Sequence, residues 1–156
     1  MKLVLKQRLF SWFDSYDVCD EYGNAVFSVK GRLAWGHLLE IYDNMGNKVG
    51  VLKEKVLKIF PTFEIYIGGE YTGCIKKEFT FFKPKFHIDF CGWRVDGDIF
   101  GWDYSVYSGA EQIMRVSKEL LHLTDTYVID VYDDRNALAG LLIALAIDAE
   151  KCSDGD

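Results

Sequence analysis

The sequence predicts a mainly β protein: a closed antiparallel β-barrel of about twelve strands wrapped around one buried hydrophobic C-terminal α-helix. Three observations carry that expectation. Apolar and polar residues alternate along most of the chain, turn signals interrupt the alternation at short intervals, and a single uninterrupted apolar run stands near the C-terminus. With 156 residues the chain is long enough for one domain with a sizeable core, and at 49% hydrophobic and 27% charged it reads as globular rather than disordered.

The alternation begins at once. "KLVLKQRL" sets Leu3, Leu5 and Leu9 on one face and Lys2, Lys6 and Arg8 on the other. Farther on, "KFHIDF" sets Phe86, Ile88 and Phe90 against His87 and Asp89. Period two of this kind marks half-buried antiparallel strands. "YGN" at 22–24, "NMGN" at 44–47, "GGE" at 68–70, "DGD" at 96–98 and "SGAE" at 108–111 supply the turns. Two stretches, "VCDEYGNAVFSV" and "EIYDNMGNKVGVL", repeat one pattern with Gly23 and Gly46 at equivalent places. Each reads as strand, turn and returning strand, which suits a meander.

The last element is the helix. Ala137 to Ile147 is apolar without a break, a run of 11 residues, or about 16 Å at 1.5 Å per residue. A membrane core needs roughly 20 such residues, so no transmembrane segment is expected. Apolar on every side, the helix is no surface element either. A sheet with no second helix to cover it can close around this one and so remove its own edges. Ala137, Gly140 and Ala144 form a thin ridge where strands can approach, and Asp133 or Asp134 is placed to cap the N-terminus. The expected organisation is one barrel domain over 1–149, with the helix near 134–149, and a short acidic tail at 150–156. Asp148 is expected to mark where the helix meets water, the alternative being a pairing at the barrel mouth.

Taken in order, "LKQRLFSW", "YDVCDEYGNAVFSVKG", "LLEIYDNMGNKVGVLKEK", "PTFEIYIGG", "KKEFTFF", "KFHIDF", "DTYVIDV" and "LLIALAIDA" resemble the LURP-one-related family, as a short member of bacterial type. The resemblance runs from about residue 2 to 149. It implies a tubby C-terminal-like barrel, related to phospholipid scramblases, with twelve strands around a hydrophobic helix. Tubby domains bind phosphoinositides through a basic patch and scramblase relatives act at membranes, so the resemblance implies a lipid-facing role. The segment "LTDTYVIDVYDD" occupies the place of an acidic, calcium-linked stretch in scramblases, whereas their cysteine-rich palmitoylation run is absent.

Charge is unevenly spread. Residues 1–124 hold 16 basic and 16 acidic residues and residues 125–156 hold 2 against 8, so the net −6 arises wholly at the C-terminal end. A neutral body gives no support for nucleic-acid binding. The basic candidates are "KEKVLK" (Lys53, Lys55, Lys58) and "KKEFTFFKPK" (Lys76, Lys77, Lys83, Lys85), which on neighbouring hairpins would make a groove for anionic phospholipid headgroups. The competing reading is a set of solvated outer faces. Asp125, Asp130, Asp133 and Asp134 are the only calcium candidates, and they lack the EF-hand spacing and its glycine.

His87, Asp89 and Cys91 point the same way on one strand, but His87 and Cys91 lie about 13 Å apart at strand spacing, too far for a nucleophile and its base. Trp12, Trp35, Trp93 and Trp102 are expected to pack on the helix or cap the barrel ends. Cys19, Cys74, Cys91 and Cys152 show no paired spacing, which speaks against zinc and disulfides. The N-terminal stretch makes a poor signal peptide. No cofactor is expected: there is no Walker A or dinucleotide motif. The sequence therefore points to a non-enzymatic binding module in the cytoplasm, peripheral at a membrane or bound to a protein partner. A small-ligand carrier or an enzyme with its site at a barrel mouth is the alternative.

Overall fold

A computed structural model describes residues 1–6, 15–79, 84–119 and 126–152. The strands are β1 (Lys2–Leu5), β2 (Ser15–Cys19), β3 (Ala25–Ala34), β4 (Gly36–Asp43), β5 (Lys48–Glu54), β6 (Thr62–Ile67), β7 (Glu70–Phe79), β8 (Pro84–Phe90), β9 (Trp93–Asp98), β10 (Asp103–Ser108), β11 (Glu111–Glu119) and β12 (Thr126–Val131). They form one twelve-stranded sheet in the order β8-β7-β6-β5-β4-β3-β2-β1-β12-β11-β10-β9, every pairing antiparallel. The order is a meander joined head to tail where β1 meets β12. Its two ends, β8 and β9, follow each other in the chain, so the sheet curls into a nearly closed barrel.

The repeated sequence pattern is a repeated turn. Asp20 Oδ1 accepts the backbone N–H of Tyr22 and Asn24 at 2.9 and 2.8 Å, and Gly23 takes φ 87°. Asp43 Oδ1 accepts from Met45 and Asn47 at 2.9 and 2.8 Å, and Gly46 takes φ 84°. In both, the aspartate side chain stands in for a backbone acceptor and the glycine supplies the left-handed residue that closes the turn.

A short 3-10 turn, Asp134–Asn136, leads into α1 (Ala137–Cys152). Asp133 caps it, its Oδ1 accepting from the Arg135 backbone at 3.0 Å. The helix enters where the Met1 ammonium donates to the Val131 carbonyl, and it leaves where Lys151 Nζ donates to the Ile99 carbonyl at 2.8 Å and lies over the Trp102 ring. Leu141 through Ile147 are buried without exception, against an inner wall that includes Leu39, Ile41, Leu52, Phe63, Ile65, Ile75, Val116 and Ile129. The apolar run of the helix thus sits where all its faces are covered.

Helix and barrel wall approach closely at two glycines. A Cβ on Gly140 would lie 2.9 Å from Met114 Sδ, and one on Gly50 in β5 would lie 3.1 Å from Leu142 Cδ1. The ridge read from the sequence is therefore used at Gly140, while the second contact comes from a barrel glycine.

Three expectations are corrected. The α-helix begins at Ala137 rather than near 134, because the Asp133 cap first closes a 3-10 turn. It also continues to Cys152, so residues 150–152 are helix and not an acidic tail; Glu150 is buried. Asp148 does not mark the water boundary, for it too is buried. The helix meets water later because the barrel wall is taller than the apolar run.

Candidate functional site

The lysine-bearing strands do come together, at one corner of the barrel. On β5 and its exit, Lys53 and Lys55 are both exposed. Lys53 is in register with Glu64 on β6. The backbone N–H of Lys55 donates to the Thr62 carbonyl at 2.8 Å, and Thr62 is in register with Lys76 on β7. Lys55 and Lys76 therefore lie in one row, two strand spacings or roughly 10 Å apart, with Lys53 in the adjacent row. Lys58 is exposed on the β5–β6 loop.

Two carboxylates sit among them. Glu64 Oε1 pairs with Lys55 Nζ at 3.2 Å, and Glu54 Oε2 pairs with His37 Nδ1 at 2.8 Å. A hydrogen bond from the Tyr66 hydroxyl at 2.5 Å, outweighing some burial, holds the Glu64 carboxyl below the usual range, with Lys55 and Lys53 adding to the effect. The corner carries four lysines against two acids.

Lys77 does not belong there. It is 1% exposed and projects into the barrel, since neighbours on a strand face opposite ways. Inside, burial lowers its ammonium's proton affinity, opposed by the charge of Glu150, whose own carboxyl is pushed up to about 8, chiefly by burial. Lys83 lies outside the described residues. Lys85 holds the register position opposite Glu78 in the β7–β8 ladder.

The acidic candidates are dispersed. Asp130, on β12, is in register with Lys2 and Arg115. Asp133 is bonded to Arg135 through Nη2 at 2.6 Å, which lowers its carboxyl to about 2, and Asp134 accepts from the Met1 ammonium at 2.9 Å. Asp125 lies outside the described residues. Among the described residues no three His, Cys, Asp or Glu side chains gather as a metal site requires. His87, Asp89 and Cys91 are all exposed.

The tryptophans divide. Trp93 packs edge-on against Phe90 with centroids 5.2 Å apart, and Trp102 packs on Tyr127 at 4.6 Å, both in keeping with the expected structural role. Trp12 lies outside the described residues. Trp35 overturns the expectation: it is 92% exposed at the tip of the β3–β4 turn. The turn leans on the exit of β5, where a Cβ on Gly36 would lie 2.7 Å from Val56 Cγ2 and 3.1 Å from the Glu54 carbonyl oxygen. A shallow hollow of about 260 Å³ is lined by Trp35, Lys53, Glu54, Lys55, Val56 and Glu64.

Beyond Val56 the loop presents Leu57 and Ile59, 98% and 93% exposed. Sequence reasoning missed this cluster. Nothing in "KVLKIF", where two apolar residues follow each lysine, says that a loop carries them into solvent. The available signal was Trp-Gly between two strand patterns, a turn with a large aromatic at its tip.

A nearly closed antiparallel meander barrel of twelve strands with one C-terminal helix defines the class of fold. The chain belongs to the LURP-one-related family, whose model matches residues 1–148. It is similar to the uncharacterized protein YxjI of Bacillus subtilis (strain 168), at 31% identity over 157 aligned positions, covering 100% of this chain and 97% of that protein. No solved structure gives a significant match. No helix among the described residues is long and apolar enough to cross a membrane.

Proposed function

We propose that the chain is a non-enzymatic binding module that docks on anionic phospholipid headgroups through Lys53, Lys55, Lys58 and Lys76, as a cytoplasmic protein visiting a membrane surface. The observation that supports this reading most is the gathering of these four exposed lysines at one corner, on β5, β7 and the loop that leaves β5. Each lysine near an anionic surface contributes about 1 kcal/mol. Glu54 and Glu64 reduce the surplus to two charges, so electrostatics supply on the order of 2 kcal/mol. The interaction is therefore weak, reversible and screened by salt.

The test is co-sedimentation with vesicles of phosphatidylcholine alone and of phosphatidylcholine mixed with phosphatidylglycerol, at low and moderate salt. Binding is expected only to the anionic vesicles, falling as salt rises. Replacing Lys53, Lys55 and Lys76 together by Gln is expected to weaken it by about 100-fold, at roughly fivefold per lysine. Calcium and chelator are expected to make no difference, because Asp133 and Asp134 already hold cationic partners. Undiminished binding by the triple variant would sink the lysine corner as the site.

A further inference from the structure

Two lysine charges in excess leave the docking incomplete, and the same corner carries a second feature that fits the same partner. Trp35 on the β3–β4 turn and Val56 on the β5–β6 loop line one hollow, and Leu57 and Ile59 follow Val56 on that loop; all four are exposed. Other large exposed apolar residues among those described, such as Tyr22, Met45 and Tyr71, stand on separate turns and strand ends. Exposed apolar residues scattered singly need no explanation, whereas a cluster of them marks an interaction surface.

We propose that this cluster is a membrane-inserting wedge: Trp35, Leu57 and Ile59 enter the interfacial layer of an anionic bilayer while Lys53, Lys55 and Lys58 engage its headgroups. The inference rests on the lipid-docking reading above and adds the part of the surface that enters the bilayer. Charge complementarity selects the occupant. A basic rim around an apolar tip matches a negative headgroup layer over an apolar interior, whereas a groove for a helix or a strand would show a concave apolar floor or a free ladder edge.

The geometry suits insertion. The N–H of Lys55 bonds to the Thr62 carbonyl, which closes the loop at its base and leaves 56–61 standing beyond the barrel wall. Val56 lies against Gly36, which sets the Trp35 turn beside the base of that loop. Trp is the side chain best suited to the interface, with an apolar body and a polar N–H. Leu57 and Ile59 supply the apolar area that goes deeper. Leu57 takes φ 73°, a left-handed conformation that L side chains rarely adopt. At 98% exposure the leucine buries almost nothing against the described residues to repay the conformation, so its place is better explained by a partner than by folding.

Trp35 itself reports the outcome. Emission is recorded on anionic vesicles whose acyl chains carry bromine, with Trp35→Phe as the subtraction control, beside vesicle binding by Leu57→Asp and Ile59→Asp. Quenching of the Trp35 component is expected, with roughly a tenfold loss of affinity for each aspartate variant and unchanged thermal unfolding, since both positions are exposed. Vesicle binding that keeps its lysine and salt dependence, without Trp35 quenching or any effect of the aspartates, overturns the wedge and leaves the lysine corner intact. Absence of vesicle binding by the wild-type chain overturns both. Sedimentation velocity separates the remaining case: wild-type self-association abolished by the same aspartates, without lipid binding, makes the cluster a contact between copies and rejects the membrane.

Discussion

Leu57 joins two unfavourable choices, a left-handed backbone at φ 73° and a side chain in solvent. Asparagine tolerates the left-handed region because its short polar side chain bonds locally. Leu57→Asn is therefore expected to leave stability unchanged or raise it by up to about 1 kcal/mol, read as the midpoint of urea unfolding. A clear loss would mean that the leucine packs on the protein and is no free tip. Lys77 teaches the converse lesson. "KK" at 76–77 lies within a strand, and adjacent strand residues face opposite sides, so one of the two had to enter the barrel. The pattern was present in the sequence, but which lysine went inside depended on the phase of the whole strand, set by Ile75 in the core and the Lys76–Thr62 register.

For the elements, the helix was legible because eleven apolar residues in a row admit few settings. Its ends were not, because Asp133 imposes a 3-10 turn and Glu150 and Lys151 have partners only once the barrel surrounds them. Leu142→Ala removes a fully buried side chain from the centre of that packing and is expected to cost about 2–5 kcal/mol, measured by chemical denaturation; a cost below about 1 would mean the barrel collapses onto the gap. Gly73 is a harder constraint. A Cβ there would collide with the Asp89 carbonyl oxygen on β8, which is backbone and cannot yield as a side-chain tip does. Gly73→Ala is expected to loosen the β7–β8 ladder, seen as faster amide exchange in β8, while Gly140→Ala, facing the flexible Met114, is expected to be milder.

For the molecule as a whole, the buried Glu150 couples folding to pH. Burial pushes its carboxyl up to about 8, with Lys77 pulling it down and Glu54 pushing it up. The native state thus keeps a proton that the unfolded chain releases near pH 4.3 or so. Below that the two states bind protons alike at this site. Between there and about 8 the unfolded state ionises first, so stability falls as pH rises, by at most about 1.4 kcal/mol per pH unit, and then levels off. Glu150→Gln is expected to flatten this decline in urea midpoints taken from about pH 5 to pH 8. An equally steep decline in the variant would place the coupling elsewhere.

By itself the sequence determined the class of fold. Period-two alternation, Asp-to-Asn turns at 20–24 and 43–47, and a helix too apolar for a surface and too short for a bilayer leave little besides a barrel closed around its own helix. Those are local and periodic properties, written where they act. Only the tertiary structure decided which lysines share a surface, that Lys77 and Glu150 lie inside, and that the Trp35 turn meets, at Val56, the loop that carries Leu57 and Ile59. The physical reason is that exposure and neighbourhood are set by the register between strands distant in the chain. An apolar residue reads the same in sequence whether a partner strand covers it or a loop carries it into solvent.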